Sequence, residues 1–86
     1  MVLKELSPAL RSFNLSFNKI KVLENFDCLT NLRELHIAHN KIGKIKGLNK
    51  MTHLKSLNLD HNKITKIEGI KYLRKLEILS LVGNRI

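Results

Sequence analysis

The sequence predicts an α/β solenoid, with short parallel β-strands on a concave face and 3₁₀ or irregular turns on the convex face. Three observations carry that expectation. Asn18, Asn40, Asn62 and Asn84 stand 22 residues apart. Around them LRSFNLSFNKI, LRELHIAHNKI, LKSLNLDHNKI and LEILSLVGNRI, beginning at Leu10, Leu32, Leu54 and Leu76, share one pattern, LxxLxLxxNxI. Phe13 once replaces the second leucine and Ile37 once the third. Between copies, apolar residues recur at every third position. A fixed period of this length marks a repeat architecture in which each copy is one coil.

The elements follow in order. Residues 1–9, MVLKELSPA, form a lead-in and a poor cap, because Val2, Leu3 and Leu6 do not fall in register with the repeat. Repeats occupy 10–31, 32–53 and 54–75, with an incomplete one at 76–86. Around LxL, apolar and polar residues alternate, as a strand with one buried face requires. Strands are therefore expected near Phe13–Leu15, Glu34–Ile37, Ser56–Leu59 and Ile78–Leu81. They recur in the same sense, so they stack in parallel, and the rest of each repeat supplies the crossover.

In that return Ile20, Leu23, Phe26 and Leu29 lead into Leu32, and Ile42, Ile45, Leu48 and Met51 into Leu54. Ile64, Ile67, Ile70 and Leu73 likewise lead into Leu76. A period of three fits extended or 3₁₀ turns rather than an α-helix. The asparagines suit the turn leaving each strand, where a short amide can satisfy buried peptide groups. They read as a structural ladder. Gly47, Gly69 and, in the first copy, Asn25 share one position, which implies a positive φ there. The chain stops at Ile86, directly after the fourth asparagine, where Leu76, Leu79 and Leu81 would be partly open. Solenoids need polar caps, so the expectation is a fragment of a longer repeat domain.

Composition narrows the function. Eighty-six residues make one small domain at most. No apolar run approaches the ~20 residues of a membrane span, and Lys4 and Glu5 interrupt any signal-peptide core. The single cysteine, Cys28, has no internal disulfide partner and reads as an inert small side chain. An intracellular location in cytoplasm, nucleus, cilium or centrosome, not secretion, is the expectation. The net charge of +9 is unevenly placed. Concave positions hold Arg11, Arg33 and Lys55 against Glu34, Asp60 and Glu77, which cancel formally. The excess lies on one loop edge, at Lys19, Lys41, Lys63 and Arg85, and on the convex side.

Five columns of side chains cross the concave face. From them Arg11, Asn14, Phe17, Arg33, Glu34, His36, His39, Lys55, Asn58, Asp60 and His61 are candidates for partner binding. Extended concave surfaces bind proteins, and aromatic and arginine side chains anchor interfaces. The competing reading is a plain solvated sheet. His39 and His61 should lie about 5 Å apart in neighbouring coils. No third ligand has clear geometry, so two partly exposed histidines are expected rather than a metal site. No serine, cysteine or lysine has an evident activating partner, which argues against an enzyme. No cofactor, small-molecule substrate or membrane contact is implied. The lysine edge could track phosphates. However, lysine also blunts strand edges, and Tyr72 is the only aromatic on the convex side.

IGKIKGLNKMTHLKSLNLDHNKI and ITKIEGIKYLRKLEILSLVGNRI resemble leucine-rich repeats of the protein phosphatase 1 regulatory-subunit type, notably at Lys44–Leu48 and Lys66–Ile70. The resemblance spans Leu10 to Ile86 and is weakest where Asn25-Phe26 replaces Gly-Leu. Bacterial internalins share the period but favour an isoleucine-serine-proline segment missing from this chain. The resemblance implies a eukaryotic, intracellular, non-enzymatic protein-binding module, such as a phosphatase-regulatory, ciliary or cytoskeletal scaffold. The alternative is a subunit of an RNA–protein assembly, or a binder of acidic partners, using the lysine edge.

Overall fold

A computed structural model describes residues 6–86 of the chain. The expectations for Val2, Leu3, Lys4 and Glu5 lie outside the described residues. Strands β1 (Ser12–Asn14), β2 (Glu34–His36), β3 (Ser56–Asn58) and β4 (Ile78–Ser80) form one sheet in chain order, every pair parallel. Phe13 pairs with Leu35, Leu35 with Leu57, and Leu57 with Leu79, so each residue meets its own equivalent one repeat later. The period in sequence is thus the register in space. The regular strands end one residue short of the expected ranges. Hydrogen bonding nevertheless continues beyond them, from Leu15 N–H to His36 O (2.7 Å), Ile37 N–H to Asn58 O (2.8 Å) and Leu59 N–H to Ser80 O (2.9 Å).

No helix forms among the described residues. Each return instead closes two successive turns three residues apart. Leu29 N–H bonds Phe26 O and Leu32 N–H bonds Leu29 O; Met51 and Leu54 repeat this on Leu48 and Met51, and Leu73 and Leu76 on Ile70 and Leu73. Isolated turns of 3₁₀ type bring every third side chain inward, which accounts for the apolar period. Gly47 (φ 73°), Gly69 (φ 72°) and Asn25 (φ 65°) take the left-handed conformation expected of them.

The core is one continuous cluster. Leu35, Leu57, Leu54, Leu59 and Leu48 are fully covered because a coil packs on each side of them. Phe13 and Leu79, at the same position as Leu35 in the outer coils, are only partly buried. The same logic corrects one expectation. Ile45 is buried by the return of the next coil, whereas Ile67, with a described neighbour on one side only, is 55% exposed. At the other end Leu6 packs against the core, Leu10 N–H bonds Ser7 O, and Asn31 Nδ2 donates to Pro8 O (2.9 Å). Residues 6–9 are therefore fastened to the first coil.

Candidate functional site: the strand face and its margins

The asparagines are bound into the scaffold. Asn62 is buried, and its Nδ2 donates to the carbonyls of Ile37 (2.9 Å), Leu59 (3.0 Å) and Asp60 (3.2 Å). Its Oδ1 accepts from Ile42 N–H (3.0 Å). Asn40 does the same with Leu15, Ile37, Ala38 and Ile20 one coil earlier. Asn84 bonds Leu59 and Leu81 carbonyls and accepts from Ile64 N–H. Asn18 is exposed and, among the described residues, bonds the Leu15 and Ser16 carbonyls of its own coil. No amide of the central two points to a ligand.

One residue before each asparagine, the backbone turns left-handed at Phe17 (φ 61°), His39 (φ 54°), His61 (φ 54°) and Gly83 (φ 73°). The sequence reasoning missed this; its one signal was Gly83 in the fourth copy. Histidine visits this region more readily than most residues, but for phenylalanine it is an outlier. Hydrogen bonds from Phe17 N–H to Ala38 O, His39 N–H to Asp60 O and His61 N–H to Val82 O hold the bend. It throws the rings onto one another. Phe17 stacks on His39 with centroids 4.4 Å apart, and His39 on His61 at 4.5 Å. Each such contact is worth about 0.5–1.5 kcal/mol, comparable to the cost of a left-handed residue at about 1–2 kcal/mol. The imidazole of His61 fills the space where a side chain at position 83 would begin. Phe17, 77% exposed, is the outermost ring of the stack.

A prediction separates the two terms. His39→Ala and His39→Gly both remove the ring, but only glycine relieves the positive φ. The glycine variant should therefore be the more stable, by about 1 kcal/mol, in thermal unfolding. The opposite order would show that position 39 has no left-handed strain to relieve.

Several other candidates turn out to be tied up. Asn14 Oδ1 accepts from Ser16 N–H (2.9 Å), and Asn58 Oδ1 from Asp60 N–H (2.9 Å). Asp60 Oδ1 accepts from Ser80 Oγ and from Val82 N–H (2.8 Å), as Ser16 Oγ accepts from Ala38 N–H in the first coil. Glu34 lies 3.7 Å from His36 Nε2. The formal balance of charges on this face nevertheless leaves the cations unpaired among the described residues, because Asp60 is turned to Ser80 and Val82 and Glu34 approaches His36. Arg11, Arg33 and Lys55 line one groove with Glu34, Ser56, Glu77 and Ile78, and none of these cations has an ion pair among the described residues. The stacked rings occupy the opposite margin.

Among the described residues no three histidine, cysteine or acidic side chains cluster as metal ligands. His36 faces out from a different column, and the Asp60 oxygen is turned to Ser80 and Val82. His53, which had no assigned role, places Nδ1 3.1 Å from Thr30 O and links two returns. Cys28 packs partly buried against the core. Lys19, Lys41, Lys63 and Arg85 are exposed along the edge beyond the asparagines, one per coil, where Lys41, Lys63 and Arg85 N–H bond the carbonyls of Ile20, Ile42 and Ile64. No helix of the described residues is long and apolar enough to cross a membrane.

A parallel sheet in which every residue pairs with its repeat equivalent, backed by turns and an asparagine ladder, defines a repeat solenoid whose strand face is its open surface. A family model of two leucine-rich repeat copies matches residues 8–50, and a second leucine-rich repeat model matches residues 46–86. The chain belongs to the leucine-rich repeat family. It is similar to the crystal structure of internalin C2 from Listeria monocytogenes, with a TM-score of 0.88 at 32% identity. That alignment covers 98% of this chain, which spans only 37% of the internalin chain. Comparison with curated proteins gave no match. Leucine-rich repeats generally bind proteins and are typically non-enzymatic. The comparisons support the family, not the phosphatase-regulatory subclass within it.

Proposed function

We propose that this chain is a non-enzymatic interaction module that holds a protein partner on its strand face. The observation that carries this reading is the separation across that face. A row of cations without ion partners among the described residues stands on one margin, with Glu34 and Glu77 beside it, an exposed ring stack stands on the other, and several polar groups between them are hydrogen-bonded within the scaffold. Such a surface offers anchors without demanding a ligand for its own stability. The KIKGL and KIEGI stretches favour a scaffold of the phosphatase-regulatory, ciliary or cytoskeletal kind. The lone cysteine favours an intracellular setting.

Partners captured from lysate, then measured singly, test the reading. Alanine at Arg33, His36, His39 or His61 should weaken binding by about tenfold at the strongest position, with unchanged circular dichroism. Alanine at Lys41, Lys63 and Lys66 together should change chiefly the association rate and its salt dependence. The second reading, a subunit of an RNA–protein assembly or a binder of acidic partners, is favoured by the exposed one-per-coil row of Lys19, Lys41, Lys63 and Arg85. If only the triple lysine variant lost its partners, that reading would replace the first. For RNA, affinity would also fall steeply with salt.

A further inference from the structure

We infer that the partner segment seated on the strand face is an acidic α-helix lying along the solenoid axis, its carboxylates on the row Arg11, Arg33 and Lys55. This inference rests on the strand-face reading above. The row is built by the backbone. Arg33 N–H bonds Arg11 O (2.7 Å), Lys55 N–H bonds Arg33 O (2.8 Å) and Glu77 N–H bonds Lys55 O (2.8 Å), so equivalent positions succeed one another at the sheet spacing. That spacing is about 4.8 Å. Glu34, 3.7 Å from His36 Nε2, and Glu77 line the same groove without pairing with these cations among the described residues, and Asp60 is turned to Ser80 and Val82. Three cations against two carboxylates leave the groove with a positive excess, and none of the three is ion-paired among the described residues, so charge complementarity calls for acids from outside.

The spacing selects the form of the ligand. Two intervals of the row span about 9.6 Å. A helix offers one side chain per turn on a given face, and two turns rise about 10.8 Å. The difference, about 1 Å, is within the reach of flexible arginine and lysine arms. An extended segment presents same-face side chains at about 6.7 Å, so two intervals cover about 13 Å and overshoot the row.

The row also has a direction. It ends in Glu77, beside the exposed Ile78 (60%). The helix turn over β4 should thus be apolar, not acidic. A uniform polyanion such as RNA would meet Glu77 at that end.

The test uses the whole chain and a labelled peptide of about 18 residues, long enough to populate a helix. It carries one glutamate per turn on one face and a leucine at the end destined for β4. A second peptide of identical composition places its glutamates at alternate positions, and a single-stranded RNA oligonucleotide serves as a third probe. By fluorescence anisotropy the helical peptide should bind at least about tenfold more tightly than its isomer. Arg33→Glu and Arg11→Glu should each weaken it by about tenfold, and Lys41→Glu by less than about threefold.

Equal binding of both peptides, no binding of the helical one, or indifference to Arg33→Glu and Arg11→Glu in folded protein would overturn the inference. Tighter binding of RNA with the same arginine dependence would overturn it in favour of a polyanion site. If captured partners still require Arg33 and His39 while the helical peptide fails, the helix inference falls and the strand-face reading stands. If partners map to the lysine edge instead, it is the strand-face reading that falls.

Discussion

Asn62→Ala is expected to destabilise the chain by about 3 kcal/mol, because one short amide serves four backbone groups and alanine serves none. The N–H of Ile42 is buried and has Asn62 Oδ1 as its acceptor, while the carbonyls of Ile37, Leu59 and Asp60 each lose a donor. A buried group left without its partner costs about 1–3 kcal/mol. Water cannot replace the amide readily, since the site lies between two coils and Asn62 is only 6% exposed. Asn18→Ala, at the exposed first position, should cost less than about 1 kcal/mol, and Lys41→Ala or Lys63→Ala should stay within about 0.5 kcal/mol. Urea denaturation of the four variants measures the series. Equal midpoints for Asn62→Ala and Lys63→Ala would refute the ladder.

Gly47→Ala is expected to be of similar size, about 3 kcal/mol, for two reasons that act together. Its φ of 73° is one that alanine resists, and an added Cβ would stand 2.7 Å from the Leu23 carbonyl oxygen of the preceding coil. The obstacle is backbone, so no side-chain rotation relieves it; the coils would have to part. Gly69 faces the same collision with the carbonyl of Ile45. Gly43 is the internal control. An added Cβ there meets nothing within 4 Å, and its φ lies outside the left-handed range. Gly43→Ala should be neutral, or stabilising by about 0.4–1 kcal/mol through the unfolded chain. Thermal melts that fall equally for Gly43→Ala and Gly47→Ala would show that close packing of the returns is not what requires glycine.

These two predictions rest on features legible in the sequence alone, because they belong to the repeat itself. A strand residue pairs with its equivalent in the next coil, so the 22-residue spacing of Asn40 and Asn62 already contained the sheet order, the parallel sense and the register. Leu35 and Leu57 point inward because the strand period is two. The returns fold as turns because their apolar period is three. The left-handed position at Gly47 and Gly69 could be read because glycine is the residue that enters that region without a Cβ penalty.

The strand face was legible only in part. Residue type placed Arg11, Arg33, Lys55, Phe17, His39 and His61 on it, but a count of charges gave a neutral surface. Only tertiary structure decided that Glu34 approaches His36, that Asp60 serves Ser80 and Val82, and that the cations share a groove with Glu34 and Glu77 without pairing with them among the described residues. These are choices of rotamer among competing partners across coils, and no spacing encodes them. The ring stack is of the same kind. The period put His39 and His61 about one strand apart, yet nothing local announces a left-handed phenylalanine at position 17. That conformation exists because cross-coil hydrogen bonds and stacking offset a cost the isolated segment would not bear. The repeat wrote the scaffold into the chain, whereas the pairing of side chains between coils, and with it the surface open to a partner, was settled only when the coils were stacked.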